Sequence, residues 1–140
     1  MPWTSDAGLV VKTPNNGLLN AVVATANTAR DMASGTVVQI FQGGSAGSYV
    51  DRVVFQPTGT ATASVARVFL NNGSATTTAG NNEFLVEVSL PAQTISEIAA
   101  LFPPTVLLQM SIPASYRLYA VVGTTVAAGY AVSCPGSGDY

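Results

Sequence analysis

The chain is short and almost uncharged: it has 140 residues, 9% of them charged and 48% hydrophobic, and a formal net charge of −2. An average soluble domain has about 25% charged residues, so we expect other protein copies to cover part of this surface. No basic run is present, which argues against a nucleic-acid partner and an anionic membrane. The length fits one domain.

Residues for catalysis are scarce. The chain has no histidine and one cysteine, so the usual general base, the commonest metal ligand and Ser-His or Cys-His nucleophile pairs are missing. Cys134 ends an apolar run and is interpreted as a small core residue. Glu83 and Glu87 lie on one predicted strand face, about 13 Å apart, too far for paired glycosidase carboxylates. We predict no enzyme, no cofactor and no metal site.

No apolar run approaches the roughly 20 residues that span a bilayer, and the N-terminus lacks the pattern of a secretory signal. We therefore expect a soluble protein that stays where it is made until something assembles with it.

Residues 1–17 contain prolines and an Asn-Gly turn, which predict an extended N-terminal arm, followed by one domain over residues 18–140. A frayed terminus and an arm that reaches a neighbouring subunit are both open. Trp3 favours a contact, because a large amphipathic ring gains most when it is buried in an interface.

Two strands are predicted next, Leu18–Thr25 and Thr36–Gln42. In the first, one apolar face carries Leu19, Ala21 and Val23 and is expected to face inward. The second carries apolar residues on both faces, as a strand buried on two sides does. The polar connection between them holds the neighbouring charges Arg30 and Asp31.

The stretches Val50–Gln56 and Val65–Leu70 predict a central hairpin, because both are rich in β-branched and aromatic residues and a Pro-Thr-Gly-Thr turn separates them. The side chains predicted to face the core are Val53, Phe55, Ala66, Val68 and Leu70. Val65 and Phe69 then lie beside Arg67 on the opposite face, which indicates a partner there.

The segment Phe84–Leu90 alternates cleanly, with Leu85 as its apolar exception. After it, Thr94-Ile95-Ser96-Glu97 has the form of a capping box, and apolar residues follow at helical spacing as far as Phe102. A short helix is therefore predicted before Pro103-Pro104, covering an open end of the β core.

Three further strands are predicted: Thr105–Ile112, Tyr116–Val122 and Val126–Cys134. Their short connections favour antiparallel neighbours. In total, about eight strands and one short helix predict an all-β fold, an antiparallel β-sandwich or jelly roll.

Several motifs follow one another along the chain: Ala26-Asn27-Thr28-Ala29-Arg30-Asp31, Gly35-Thr36-Val37-Val38, Asp51-Arg52-Val53-Val54-Phe55-Gln56-Pro57-Thr58-Gly59-Thr60, Arg67-Val68-Phe69-Leu70 and Gly138-Asp139-Tyr140. In these motifs the chain resembles small virion proteins encoded by tailed bacteriophages, found near head genes and treated as capsid decoration (cement) or other minor structural proteins. The resemblance covers roughly residues 18–140.

This resemblance implies a capsid decoration subunit that is made in the host cytoplasm and then, on the virion surface, binds and stabilises the shell of the major capsid protein. Many modest contacts would then sum over a repeated lattice, and a homotrimer would match the local three-fold positions of an icosahedral shell. The residues predicted to lie at interfaces are Trp3, Arg30, Asp31, Val65, Phe69, Leu85 and Tyr119.

Two alternatives remain open. One is a head-fibre or tail-associated β-sandwich that binds host glycans through exposed aromatic residues such as Tyr49, Trp3 or Tyr140. The other is a small jelly-roll major capsid protein.

Overall fold

The computed structural model describes residues 11–19 and 21–140. The strands are β1 (Thr13–Pro14), β2 (Ala21–Val23), β3 (Val38–Gln42), β4 (Ser48–Pro57), β5 (Ser64–Asn71), β6 (Asn82–Leu90), β7 (Thr105–Ile112), β8 (Arg117–Val122), β9 (Tyr130–Ser133) and β10 (Gly138–Asp139). Within these described ranges the helical structure is a 3-10 turn at Ala79–Asn81.

The strands pair as nested couples: β2 with β9, β3 with β8, β4 with β7 and β5 with β6, all antiparallel. One sheet therefore runs β2–β9–β4–β7 and the other β3–β8–β5–β6, while the short β10 and β1 continue the first sheet beside β4. This order is that of an eight-stranded jelly roll. The predicted all-β, antiparallel fold class is confirmed.

The core lies between the two sheets and is built from their inward faces. The side chains predicted to face it, Val53, Phe55, Ala66, Val68 and Leu70, are all buried there. Cys134 is also a fully buried member of this core, as predicted. Strand faces thus follow the period-two pattern of the sequence.

The predicted central hairpin is wrong, because β4 and β5 lie in different sheets. Residues 58–63 cross from one sheet to the other, which takes the chain about 10 Å. The short connections on either side of β8 likewise join strands of opposite sheets. Alternation reports which face of a strand is buried, but it does not report which strand pairs with it.

A bulge in β6 accounts for Leu85, the apolar exception of that strand. The register shifts between Val68 and Phe69 of β5, so that Phe69 pairs with Phe84 and the two rings meet edge to face at 5.2 Å between centroids. Leu85 packs against the core. Because of the bulge, Glu83 and Glu87 do not share a strand face, contrary to the prediction. Glu83 pairs with Leu70, which faces the core, and Glu87 pairs with Arg67, which faces outward.

The predicted helix before Pro103-Pro104 is wrong: residues 94–103 form no helix. The backbone hydrogen bonds that join the segment to the rest of the protein lie at its ends: Gln93 exchanges two with Ala61, and the Pro104 carbonyl accepts one from Phe55. A helix this short gains too little from its own hydrogen bonds to offset nucleation unless one face packs on the protein.

The first long strand is shorter than predicted. β2 begins at Ala21, and Leu19, expected to face inward, is 84% exposed. The N–H of Leu18 donates to the carbonyl of Ile40, so this part of the chain runs beside β3. The two-residue strands β1 and β10 give almost no periodic signal and were not predicted.

Candidate interaction surface

A long connection, residues 24–37, folds back over the outer face of the β3–β8–β5–β6 sheet, and we call it the strap. Its Met32 is 1% exposed and packs with Phe69, Tyr119 and Val121 in a small second apolar cluster. The apolar residues beside Arg67, which indicated a partner, are thus covered in part by the chain itself.

Two buried polar residues hold the strap in place. The Nε of Arg67 donates to Glu87 Oε2 at 2.8 Å, and its Nη1 donates to the Asn27 carbonyl at 3.0 Å. The Asn27 amide donates to the carbonyls of Ser34 and Thr36, at 2.8 and 2.9 Å. Since both residues are almost fully buried, these hydrogen bonds satisfy groups that would otherwise cost free energy.

The two charged residues of the strap, Arg30 and Asp31, each form a hydrogen bond with a residue other than their neighbour. Arg30 donates to Glu87 at 3.1 Å, and Asp31 accepts the N–H of Ala33 at 3.0 Å. The hydrogen bond from Arg67 and the positive charges of Arg30 and Arg67 lower the pKa of Glu87. Desolvation acts in the opposite direction, but the pKa is lowered on balance. Glu87 is therefore the shared carboxylate of two guanidinium groups.

The other predicted interface residues occupy different settings. Phe69 is fully buried under the strap and Tyr119 nearly so; Arg30 and Asp31 are exposed on it. The half-buried residues Val65 and Leu85 lie on β5 and β6. Trp3 and most of the predicted N-terminal arm lie outside the described residues. An intersubunit role for these seven residues stays a prediction.

The loop that joins β6 to β7 is the most exposed apolar segment in the part of the chain that the structure describes. We call residues 94–103 the apolar loop. In it Ile98 is 98% exposed and Phe102 is 88% exposed, with Ile95 at 39%. Burying such side chains is worth about 1.5–3 kcal/mol each, so this loop has the composition of a contact segment.

Sequence reasoning missed this surface, because the helical spacing of its apolar residues was interpreted as a face that packs on the core. The available signal was the flanking prolines, Pro91 and Pro103-Pro104, which favour an extended segment.

A cleft of about 220 Å³ lies at the opposite end of the sandwich, near the β5–β6 hairpin, and is lined by Leu70, Asn72, Gly80, Asn81, Asn82, Glu83 and Tyr116. Its asparagines bond within the protein: the Asn72 amide donates to Asn81, and the Asn81 amide donates to the Ala75 carbonyl. These groups are therefore engaged in shaping the hairpin.

Among residues 11–19 and 21–140, no group of three or more His, Cys, Asp or Glu side chains is placed to hold a metal ion. Burial raises the pKa of the Cys134 thiol to about 12, so the thiolate nucleophile is disfavoured. The neighbouring charges Asp51 and Arg52 form a local ion pair at 2.6 Å.

No family model, no curated protein and no solved structure matches the chain. In the described part of the chain, no helix has the length and apolar character to cross a membrane.

Proposed function

We propose that the chain is a structural protein of a bacteriophage virion, a capsid decoration subunit. As a homotrimer, it binds the shell of the major capsid protein and stabilises that shell. Its place is the capsid surface, and it performs no catalysis. The observation that carries this proposal is the apolar loop: Ile98 and Phe102 are almost fully exposed and belong to neither of the two buried apolar clusters.

A subunit of a repeated shell has its partners at high local concentration, so apolar side chains can be buried between subunits. The chain also has few charges to desolvate, which lowers the cost of covering its surface. Both features suit a protein that works in contact with many copies of others.

The fold supports a structural role without determining it. Jelly rolls serve in viral shells and in lectins, and function depends on the site rather than on the fold. A glycan-binding role has less support, because the amides at the cleft bond within the protein and the Tyr140 hydroxyl shares a hydrogen bond with Ser111.

Virions of the phage that encodes the chain provide the test. We expect mass spectrometry of purified heads to find the chain, and heads assembled without it to release their genome at a lower temperature. Adding the purified chain back should restore the wild-type release temperature. Equal heat resistance with and without the chain would contradict the stabilising role.

The same preparation separates the alternatives. A major capsid protein would be the most abundant chain of the particle, and no shell would form without it. A receptor-binding module would leave head stability unchanged and give binding above background on a glycan array.

A further inference from the structure

Exposed apolar side chains are concentrated at two opposite edges of the sandwich. The β2/β3 edge carries Leu18, Leu19 and Val22, and the β6/β7 edge carries Phe84, Ile95, Ile98, Phe102 and Leu107. Among the described residues, Tyr140 is the other large hydrophobic side chain that is exposed.

The two edges cannot cover one another within one chain. In the first sheet, β9 and β4 separate β2 from β7, which corresponds to about 14 Å at the usual strand spacing. A patch at one edge can therefore meet the patch at the other edge only on a second copy.

The charges of the two edges are complementary. Residues 82–116, which include β6, the apolar loop and β7, contain no lysine or arginine; of their three carboxylates, Glu87 is already paired with Arg67 and Arg30, which leaves Glu83 and Glu97. The β2 and β3 strands carry no carboxylate, and Arg117 begins β8 next to Gln42 of β3. Arg117 makes no ion pair with the described residues, and its Nε is buried without a hydrogen-bond partner.

We propose that copies of this chain associate head to tail, with the apolar loop of one copy packed on the Leu18, Leu19 and Val22 edge of the next. The acidic loop then approaches the edge beside the unpaired Arg117, whereas two acidic edges facing each other would repel. Such a heterologous contact closes into a ring when its rotation allows. This inference rests on the proposed structural role and names the surfaces by which its trimer forms.

Sedimentation at several concentrations tests the contact, with the variants Ile98→Asp and Leu19→Asp. Both side chains are exposed in the single chain, 98% and 84%, so the thermal unfolding midpoint should not change at a concentration at which the wild type is monomeric. We expect wild type to sediment as three chains, and each variant to associate more than about tenfold more weakly, the factor expected when a large aliphatic side chain is no longer buried. Ala46→Asp, in the exposed turn between β3 and β4 and outside both sets of exposed apolar side chains, is the matched control and should sediment as wild type.

Mixing the two variants distinguishes head-to-tail contact from a symmetric one. Ile98→Asp keeps an intact Leu19 edge, and Leu19→Asp keeps an intact loop, so one good contact remains per pair. We expect the mixture to form a heterodimer, while each variant alone is a monomer. A monomeric wild type, variants that keep the wild-type mass, or a mixture that stays monomeric would each overturn the inference.

These results are independent of the head-stability experiment. A monomeric chain that still stabilises heads would overturn the ring and the proposed homotrimer, and would leave the capsid-stabilising role standing. A chain that forms the ring but is absent from virions would support the head-to-tail contact and overturn the proposed role in the virion.

Discussion

The strap and the apolar loop are two irregular connections of similar length and opposite behaviour. The strap, residues 24–37, returns to the sheet and buries Met32. The apolar loop, residues 94–103, is richer in large apolar side chains, yet it leaves Ile98 and Phe102 in solvent. Apolar content alone therefore does not decide which loop closes on the protein.

The difference lies in the polar groups beneath each segment. The strap lies over Arg67, which donates to its backbone at Asn27, and Asn27 in turn bonds two further carbonyls of the strap. The apolar loop has backbone hydrogen bonds at Gln93 and Pro104, outside its two ends. Specific hydrogen bonds to a buried donor fix one arrangement, and apolar contacts then form around it.

The test with the largest expected effect on stability replaces one apolar residue in each segment. Met32→Ala should lower the free energy of unfolding by about 2–4 kcal/mol, because it empties a packed site. At a concentration at which the wild type is monomeric, Ile98→Ala should change it by less than about 0.5 kcal/mol, as exposed substitutions do. Urea unfolding of both variants measures this, and similar losses would show that the loop also packs on its own chain.

The second test removes the polar anchor. Arg67→Leu leaves the buried carbonyl of Asn27 without its donor, so we expect a loss of about 1–3 kcal/mol in the free energy of unfolding. Hydrogen exchange of the strap amides should also become faster. Arg52→Leu, which removes an arginine from an exposed ion pair, is the control and should have almost no effect. If both variants lost the same stability, Arg67 would not be the anchor.

The sequence predicted strand faces well and strand partners poorly. Val53, Phe55 and the inward residues of β5 could be placed because alternation is a local property. The pairing of β4 with β7 and β9 could not be inferred, since it depends on how the nested pairs fold over one another. The bulge at Leu85 likewise depends on register with β5.

The candidate surface was predicted least well, for the same reason. Phe69 and Arg67 were placed correctly on the outer face. The strap that covers them could not be predicted, because it is held by contacts between residues far apart in the sequence, such as Arg67 and Asn27, which are 40 positions apart. The apolar loop was interpreted as a helix because spacing cannot report whether a packing partner is present.

The third test concerns the turn that lets the strap close. Gly35 has a φ of +76°, and a Cβ there would lie 2.8 Å from the Asn27 side-chain nitrogen. Gly35→Ala should therefore cost about 1–2 kcal/mol in the free energy of unfolding. Gly80→Ala, where a Cβ meets no atom within 4 Å, should cost nothing. Thermal unfolding compares them, and equal midpoints would mean that the strap tolerates a displaced Asn27.

The smallest effect is the pH dependence of the strap. Because Arg67 and Arg30 lower the pKa of Glu87 below its ordinary value of 4.5, the ion pairs stabilise the folded protein fully above that pH. The contribution is lost as the pH falls through the lower pKa of the folded state. Glu87→Gln should thus be less stable than wild type at pH 7, and the two stability curves should approach each other in acid. Parallel curves from pH 7 to pH 3 would contradict this, because other carboxylates titrate alike in both proteins and cancel in the difference.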